Sequence, residues 1–469
     1  MIKKTGILLI DPPWEIESSH NIWKNIGSCL PSLGLAYIAS YLEKNGFGVS
    51  IIDCTAERIG LQRLKRLFGL MSPPAYIGLT ATTPLIKNAL LIADLAKVFF
   101  PNSKVIMGGV HPTVEPEESL LRESVDAVVR DEGEETMLEI ARGVPFRDIL
   151  GLSYKENGEI KHNPPRPLIK DLNQIPAPAY HLLPMKKYYP AIGSYHRLPA
   201  MSMFATRGCP GRCTFCYRTF GGKVRKRSAE NIIEEVARLY KDYGIREISF
   251  YDDSFTAFKD VVFRFCELLK EKKLKISWSC FTRADLVNKK LLLAMKQSGC
   301  HLILFGVETG DERIMRNINK RISLDKVVEN VRFARRIGID TRASFMLGNQ
   351  GETEESVQKT IDFALKLNPS QLHFNIATAY PGTELYQWAR ENGYLLDESR
   401  YDYNMSDVNL ILPDISPERL KYYYNYAHRK FYLKPSTIIN HILRLRTFTQ
   451  FVEYVKGFIA VLYVFTHKR

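Results

Sequence analysis

The chain has 469 residues, 45% hydrophobic and 25% charged, with a formal net charge of +14 at pH 7. That length allows two or three domains, and the composition is that of an ordinary globular protein, not a disordered or fibrous one. No run of about 18 consecutive apolar residues occurs, so no bilayer-spanning helix is expected, and eight scattered cysteines in so long a chain exclude the disulfide framework of a small secreted domain.

Met1-Ile-Lys-Lys runs straight into the strand-like Gly6-Ile-Leu-Leu-Ile-Asp11, so no secretory leader is expected and the expected compartment is the reducing cytoplasm. Ile7–Asp11, Val49–Asp53, Tyr76–Thr80, Lys104–Gly108 and Asp126–Val129 read as strands. Leu33–Lys44, Gln62–Leu70, Asn88–Phe100 and Glu134–Ala141 read as the amphipathic helices between them. This alternation predicts a doubly wound parallel sheet over residues 1–145. Ile149–Lys161 reads as a hairpin turning at Asn157-Gly158. Seven prolines between Pro164 and Pro190 then mark an extended linker, so 146–195 is read as hairpin plus linker.

A second series opens at Ala200. Its strands are Ala200–Thr206, Glu247–Tyr251, Ser277–Thr282, His301–Gly306, Thr341–Leu347 and Leu372–Ala377. Its helices are Ala229–Tyr243, Val261–Lys270, Lys289–Ser298, Leu324–Ile337 and Glu354–Leu367. Directly after the first strand stands Arg207-Gly-Cys-Pro-Gly-Arg-Cys-Thr-Phe-Cys216. Three thiolates on one short loop, Cys209, Cys213 and Cys216, can hold three irons of a four-iron four-sulfur cluster and leave the fourth open to a small molecule. Gly208, Pro210 and Gly211 suit a loop that wraps closely around such a cluster. A structural zinc would need a fourth ligand, and the nearest upstream candidate, His196, lies on the linker. The other five cysteines have no ligand spacing and read as small buried hydrophobes.

The C-x3-C-x2-C spacing with an aromatic before the last cysteine resembles that of the radical S-adenosylmethionine (radical SAM) enzymes, and the six strand–helix repeats resemble their partial (β/α)6 barrel, here over 196–395. The resemblance implies that the open iron chelates the amino and carboxylate groups of S-adenosylmethionine, which is then split to a 5'-deoxyadenosyl radical. It also implies roles for later strand ends. Asp252 or Asp253 would accept from the methionine ammonium, with an N-cap or Asx-turn as the plain alternative. Arg283 would pair with its carboxylate, and a surface arginine is the alternative. Glu308 in Phe305-Gly-Val-Glu-Thr-Gly310 would take the ribose hydroxyls. Gly348, Gly351 and Glu352, and Pro381 in Ala379-Tyr-Pro-Gly-Thr383, would lie near the adenine; Glu352 alternatively caps the helix that starts at Thr353.

A doubly wound domain ahead of such a core resembles the cobalamin-dependent branch that includes magnesium-protoporphyrin cyclase-like and hopanoid-modifying proteins. The segments Thr80-Ala-Thr-Thr-Pro84, Gly108-Gly-Val-His-Pro-Thr113 and Arg130-Asp-Glu-Gly-Glu-Glu135 would line one sheet edge, with Thr80, Thr82, Gly108, Gly109, His111 and Glu132 toward a corrin. Cobalamin domains that ligate cobalt by histidine carry D-x-H-x-x-G after the first strand. This chain reads Asp11-Pro-Pro-Trp-Glu15, so no histidine ligand is expected and His111 is read as cavity lining. The absence of G-x-G-x-x-G after that strand disfavours a dinucleotide.

Residues 396–469 form a basic, aromatic segment. From Pro417 onward ten Lys or Arg face Glu418 and Glu453, which leaves +8 in the last 53 residues. Tyr422-Tyr-Tyr-Asn-Tyr426 and Arg429-Lys-Phe-Tyr-Leu-Lys-Pro435 interleave aromatics and cations, and Gly457-Phe-Ile-Ala-Val-Leu-Tyr-Val-Phe465 is apolar but too short to span a bilayer. A peripheral contact with a membrane face or lipid substrate and an ordinary helical cap over the active site are equally weighted readings; nucleic acid is disfavoured. The expected protein is thus an α/β enzyme that uses a 4Fe-4S cluster, S-adenosylmethionine and cobalamin to modify an unactivated carbon of a small molecule, lipid or polycycle, by methyl transfer first and by cyclisation or rearrangement second. A reductant of the flavodoxin or ferredoxin kind is implied. A cobalamin sensor or carrier is the reading from a different class, and the intact cysteine triad argues against it.

Overall fold

A computed structural model describes residues 4–14, 28–191, 193–396 and 408–442. The chain forms two compact units, which within the described residues comprise 4–14 with 29–188, and 189–396 with 408–442.

In the first unit, β1 (Lys4–Asp11), β2 (Phe47–Asp53), β3 (Tyr76–Thr80), β4 (Lys104–Gly108), β5 (Ala127–Val129), β6 (Leu152–Glu156) and β7 (Glu159–His162) form one sheet in the order β2-β1-β3-β4-β5-β6-β7. The first five are parallel and the last two antiparallel. Alternate residues of one strand enter opposite cores. Leu8 and Ile10 pack with Phe68, Ile86 and Met107, whereas Ile7 and Leu9 pack with Leu35, Leu42 and Ile106. Both faces are therefore covered, as the near-continuous apolar strands required.

The hairpin is found where expected, but it extends this sheet instead of standing apart, because β6 pairs with β5 through Ala127–Tyr154 and Val129–Leu152. The proline-rich stretch is likewise no free linker. It lies as a strap on this unit: the Ile169 N–H donates to Glu132 Oε2 at 2.8 Å, the Ala179 N–H to the Ala36 carbonyl at 3.0 Å, and the Tyr188 hydroxyl to Asp53 Oδ2 at 2.7 Å.

The second unit holds β8 (Ala200–Met203), β9 (Glu247–Phe250), β10 (Ser277–Arg283), β11 (Cys300–Glu308), β12 (Asp340–Leu347) and β13 (Gln371–Ile376), all parallel and adjacent in chain order. Helices between them start at Ser228, Asn288, Ser323 and Thr353, whose side chains accept N–H groups of the first turn, each worth about 1 kcal/mol. At the N-terminal end of the strands a buried group locks three of them together. Glu247 accepts from His301 Nε2 and the Ser277 hydroxyl, both at 2.8 Å, and from the His196 N–H at 2.7 Å, while the two imidazoles stack 3.8 Å apart.

Within the C-terminal segment, Ser416 caps a helix over Pro417–Tyr432. It covers the exposed edge of β13. The Tyr432 hydroxyl donates to the Leu372 carbonyl at 2.6 Å, and His428 Nε2 receives the Phe374 N–H in a long 3.5 Å contact. Arg419 grips Glu354 through two bonds of 2.7 and 2.6 Å. An unpaired edge invites pairing with other chains, and here side chains of a helix satisfy it. Residues 417–432 therefore form a helical cover on this strand edge. The apolar run 457–465, on which the membrane reading leaned, lies outside the described residues, and among the described residues no helix is long and apolar enough to cross a membrane.

Burial pulls the His428 imidazole from its ordinary range near 6.5 down to about 4. The unfolded chain then takes up the proton first, so this contribution is complete above about pH 6.5 and is lost as the pH falls toward about 4. Hydrogen exchange at the amides of 417–432 and 372–376, measured between pH 7 and 4.5 and corrected for intrinsic rates, is expected to show protection falling in that window, and a His428→Phe variant is expected to flatten the dependence.

Candidate functional site

The cysteine loop leaves the sheet earlier than the sequence pattern predicts. The strand expected over Ala200–Thr206 stops at Met203, because Asp252 Oδ1, buried at the end of β9, receives the N–H of Ala205 at 2.9 Å, the Thr206 hydroxyl at 2.6 Å and the Thr206 N–H. Thr206–Arg207 then pairs antiparallel with Arg225–Lys226 and closes the neck of an excursion that carries the three cysteines. Gly208, at φ +98°, sits at that neck, where a Cβ would lie 2.8 Å from the Lys223 carbonyl.

Further bonds brace the loop. The Thr214 N–H donates to the Ile318 carbonyl at 3.1 Å, and the Leu385 N–H to the Thr214 carbonyl at 2.9 Å. Phe215, the aromatic before the last cysteine, packs against a cluster of Met346, Ala377, Leu385 and Tyr386 and so anchors the loop in the core. The thiols of Cys209 and Cys213 lie on one side of Gly211, 3.3 and 3.8 Å from where its Cβ would be, and Cys216 is exposed.

The loop fits a cluster. The Gly211 N–H points at Cys209 Sγ at 3.4 Å, and Arg283 Nη1 stands 3.1 Å from the same Gly211 position, which places a donor and a cation beside the sulfurs of an anionic group. Among the described residues no three or more His, Cys, Asp or Glu converge as a single ion would require. The thiol pKa of Cys213 is raised by burial, against Lys320 and Arg283, which favour the thiolate.

The structure separates the remaining candidates. Asp252 is buried and committed to the backbone of 205 and 206; burial pushes its carboxyl up to about 7 against those bonds, and its Oδ2 finds no partner among the described residues. Asp253, next to it, is exposed. Arg283 makes two 3.0 Å bonds to Asp285 and a third to the Lys320 carbonyl. Glu308, at φ +72°, accepts from Lys320 Nζ at 2.8 Å.

Lys320 is a candidate that the sequence did not mark. It is 7% exposed. Burial works to lower its pKa, but Glu308 and Cys213 outweigh this and hold it raised, so the ammonium is kept beside the cysteine loop. The strand-end motif pointed to Glu308, and nothing in Asn317-Ile-Asn-Lys320 marks the lysine as its partner.

Glu352 does not cap the helix that follows. Thr353 and Ser356 form that cap, while Glu352 Oε2 receives the N–H of Gly348 and, at 3.0 Å, of Asn349, with its carboxyl raised to about 7 by burial. Gly348, at φ +90°, faces Leu420 of the C-terminal helix, and Gly351, at φ +76°, faces Asn317. Pro381 is buried in the turn ahead of the helix capped by Thr383. All these groups lie at the C-terminal ends of β9 to β13, where sheets of this kind bind ligands.

In the first unit, the C-terminal edges of β3 and β4 present small residues, as expected. Thr82 is exposed, and Thr80, Gly108 and Gly109 are half-buried. Gly109, at φ +97°, is required by packing, since a Cβ would lie 2.7 Å from the Ala81 carbonyl and 2.8 Å from Thr80 Oγ1. The His111 ring is fully enclosed, with Nδ1 3.3 Å from Thr83 Oγ1 and Nε2 3.4 Å from Glu118 Oε2. Glu132 is buried and holds the proline-rich strap. The loop after β1 is pinned by Asn88, whose amide donates to the Pro13 carbonyl at 2.7 Å, and it leaves the Trp14 indole 61% exposed. Asp11 and Asp53 are register partners there; burial, then Asp53, raises the Asp11 carboxyl to about 7. A small-residue edge with an exposed indole on the loop after β1 fits a corrin.

Comparison with known proteins agrees with both halves. Residues 203–364 match the Radical SAM superfamily and residues 20–141 the B12 binding domain. An uncharacterised methyltransferase of Pyrococcus horikoshii is 38% identical over 98% of this chain and 100% of its own length. The cytidylyl-2-hydroxyethylphosphonate methyltransferase of Streptomyces wedmorensis is 27% identical, covering 86% of each chain. The anaerobic magnesium-protoporphyrin IX monomethyl ester cyclase of Rubrivivax gelatinosus is 26% identical over 88% of this chain and 74% of its own. The fold matches the cobalamin-dependent S-adenosylmethionine radical enzyme OxsB with a TM-score of 0.73 at 18% identity, over 98% of this chain and 72% of that one.

Two substitutions test the architecture of the two edges. Lys320→Met, which strands Glu308, is expected to lower stability by about 3–5 kcal/mol, with most of the loss recovered in Lys320→Met/Glu308→Gln; chemical denaturation of both variants gives the numbers. Gly109→Ala is expected to cost about 1–3 kcal/mol from backbone strain, again by denaturation.

The chain belongs to the cobalamin-dependent radical SAM enzymes, whose cofactors are a four-iron four-sulfur cluster, S-adenosylmethionine and cobalamin.

Proposed function

We infer that the protein transfers a methyl group to an unactivated carbon of a small molecule. The observation that carries this reading is the pairing, in one chain, of a three-cysteine loop beside a buried Lys320–Glu308 pair with the sheet of the first unit, whose C-terminal edge carries small residues. Two of the relatives bear methyltransferase names, one of them for cytidylyl-2-hydroxyethylphosphonate. Bound together, the cofactors supply a 5'-deoxyadenosyl radical for hydrogen abstraction and a methyl group for delivery.

The residues have separable tasks in this reading. Cys209, Cys213 and Cys216 hold the cluster. Arg283 and Lys320 supply positive charge beside the loop, toward the carboxylate of S-adenosylmethionine and the cluster's own negative charge. Glu308 takes the ribose hydroxyls once Lys320 fixes its orientation. Gly348, Gly351 and Pro381 shape the adenine side, and Glu352 freezes the first of those turns from inside. Asp253, the exposed member of its pair, faces the ammonium, while Asp252 positions the loop. Thr80, Thr82, Gly108 and Gly109 form the seat for cobalamin. His111 and Glu132 act from behind it as packing and tether, and cobalt takes no histidine from this chain. A small electron donor of the flavodoxin or ferredoxin kind in the cytoplasm would supply the reducing equivalent. Ring closure with the same cofactors is the second reading, favoured by the likeness to the cyclase.

Anaerobic reconstitution with iron, sulfide and hydroxocobalamin, followed by desalting, tests the reading. About four irons and one corrinoid per chain are expected, together with release of 5'-deoxyadenosine from S-adenosylmethionine under reduction. Cys213→Ala is expected to lose the iron and the cleavage and to keep the corrinoid. Iron without corrinoid in the intact chain would remove methyl transfer from consideration.

A further inference from the structure

The helix Pro417–Tyr432 carries large side chains on both of its faces. Leu420, Tyr423, Ala427 and Phe431 are buried on the side of β13 and the helix Glu354–Leu367. Opposite them, Tyr422, Tyr426 and Leu433 recur at i, i+4 and i+11 and so fall on one stripe. Tyr422 is 52% exposed and Leu433 40%, and Tyr426 between them is partly exposed. The two tyrosine rings lie 18° apart in plane with 6.0 Å between centroids, so they form one surface along the helix. The next helix, Pro435–Ile442, leaves Ile439 55% exposed in turn. The solvent side of a helix ordinarily carries charged and polar groups. One exposed apolar residue calls for no explanation, but a row of them on consecutive elements marks a contact.

Lysines flank this stripe. The Lys430 ammonium stands 5.4 Å from the centre of the Tyr426 ring. Lys430 and Lys434 are both exposed, and among the described residues neither has a carboxylate within ion-pair distance. Arg419, by contrast, is committed to Glu354. Between Glu418 and Glu453 the sequence holds seven Lys or Arg and no Asp or Glu. Tyrosines, aliphatic tips and long-stemmed lysines in one row are the composition of a helix lying at a lipid–water interface, where the rings sit at headgroup level. Phosphates and bases of a nucleic acid give Leu433 and Ile439 nothing to do. An acid-free stretch from 419 to 452 is longer than one docking patch needs, and anionic headgroups offer a negative field over any such length.

We propose that the exposed face of the helix Pro417–Tyr432, continued by Leu433, Lys434 and Ile439, docks on anionic lipid headgroups and holds the protein at a membrane surface. The rings and aliphatic tips enter the level between headgroup and acyl chain, and Lys430 and Lys434 reach back to the phosphates. The helix then has two duties, one on each side: its inner face closes the edge of β13 and its outer face meets lipid. The contact is peripheral, since among the described residues no helix is long and apolar enough to cross a membrane. It is also sensitive to salt, with each lysine near the surface contributing about fivefold in affinity. No part of this depends on which reaction the cofactors perform.

Binding can be read without turnover. The full chain, reconstituted with its cofactors, is mixed with sucrose-loaded vesicles of phosphatidylcholine alone or of phosphatidylcholine with phosphatidylglycerol, and the bound fraction is measured after sedimentation. Binding to the phosphatidylglycerol vesicles at about 0.1 M salt, its loss at about 1 M salt, and only weak binding to phosphatidylcholine are expected. Lys430→Gln/Lys434→Gln is expected to weaken binding about 25-fold, and Tyr422→Ser/Leu433→Ser roughly tenfold. Removal of the same charge elsewhere, in Lys65→Gln/Arg66→Gln on the exposed side of the helix Leu61–Leu70, is expected to change binding less than about twofold. Absence of binding to either vesicle, equal binding to both, or an equal loss in Lys65→Gln/Arg66→Gln would overturn the proposal, the last by tracing the effect to diffuse net charge. A dimer that Tyr422→Ser/Leu433→Ser dissolves and vesicles leave intact overturns it too, and assigns the face to a second copy of the chain. So does an RNA duplex that binds more tightly than the vesicles and is lost with the two lysines. If a substituted chain does not fold, the two vesicle compositions with the intact chain decide. S-adenosylmethionine cleavage is followed in the same samples: cleavage without vesicle binding removes this contact and leaves the function, and vesicle binding without cleavage does the reverse.

Discussion

The Asp252 carboxylate is withdrawn from water at the end of β9 and surrounded by N–H and O–H donors of residues 205 and 206. Burying a carboxylate is costly unless donors meet it, and these donors come from the residues where the first strand ought to continue. The chain therefore turns out of the sheet at that point, pairs briefly with 225–226, and carries the cysteines on a closed loop instead of a loose one. Arg283, Lys320 and Glu308 have a fixed object to surround only because that neck is fixed.

Much of this architecture was legible in the sequence. The strand and helix runs follow from period and caps, and the structure moves most boundaries by one or two residues. The cysteine spacing was sufficient to locate the site. What could not be read was which polar residue is committed to the fold. Asp252 and Asp253 are adjacent and identical in type, and only their burial tells them apart. Glu352 reads as a helix cap by position, yet it turns inward to the backbone before it. Lys320 pairs across 12 residues of irregular chain, where no periodicity applies. The tyrosine-rich stretch reads by composition as a surface for partners, although Ser416-Pro417 ahead of it is a helix start signature, and the Tyr432 ring that follows belongs to the cover of an edge strand.

The two units use polar groups in opposite ways. In the first, buried acids act as tethers: Asp53 and Glu132 hold the proline-rich strap, and the exposed edge is left to small residues and backbone. In the second, the acids at the strand ends organise loops, Asp252 at 205–206 and Glu352 at the turn of Gly348. A flat cofactor that needs area and a charged cofactor that needs directed contacts call for this difference.

The seating of Leu420 against Gly348 bears on where a module of this protein ends. The matched superfamily segment stops at residue 364, yet β13 begins at Gln371, its edge is satisfied from Leu372 and Phe374 to Tyr432 and His428, and the turn at Gly348 is closed by a residue of that same helix. The span of the superfamily match and the folding unit therefore have different borders. Fusion, insertion or recombination after 364 or 395 would cut through a half-built edge, so the segment up to Tyr432 has to travel with the barrel, and sequence drift at Leu420 is limited by the space a missing methyl leaves at position 348.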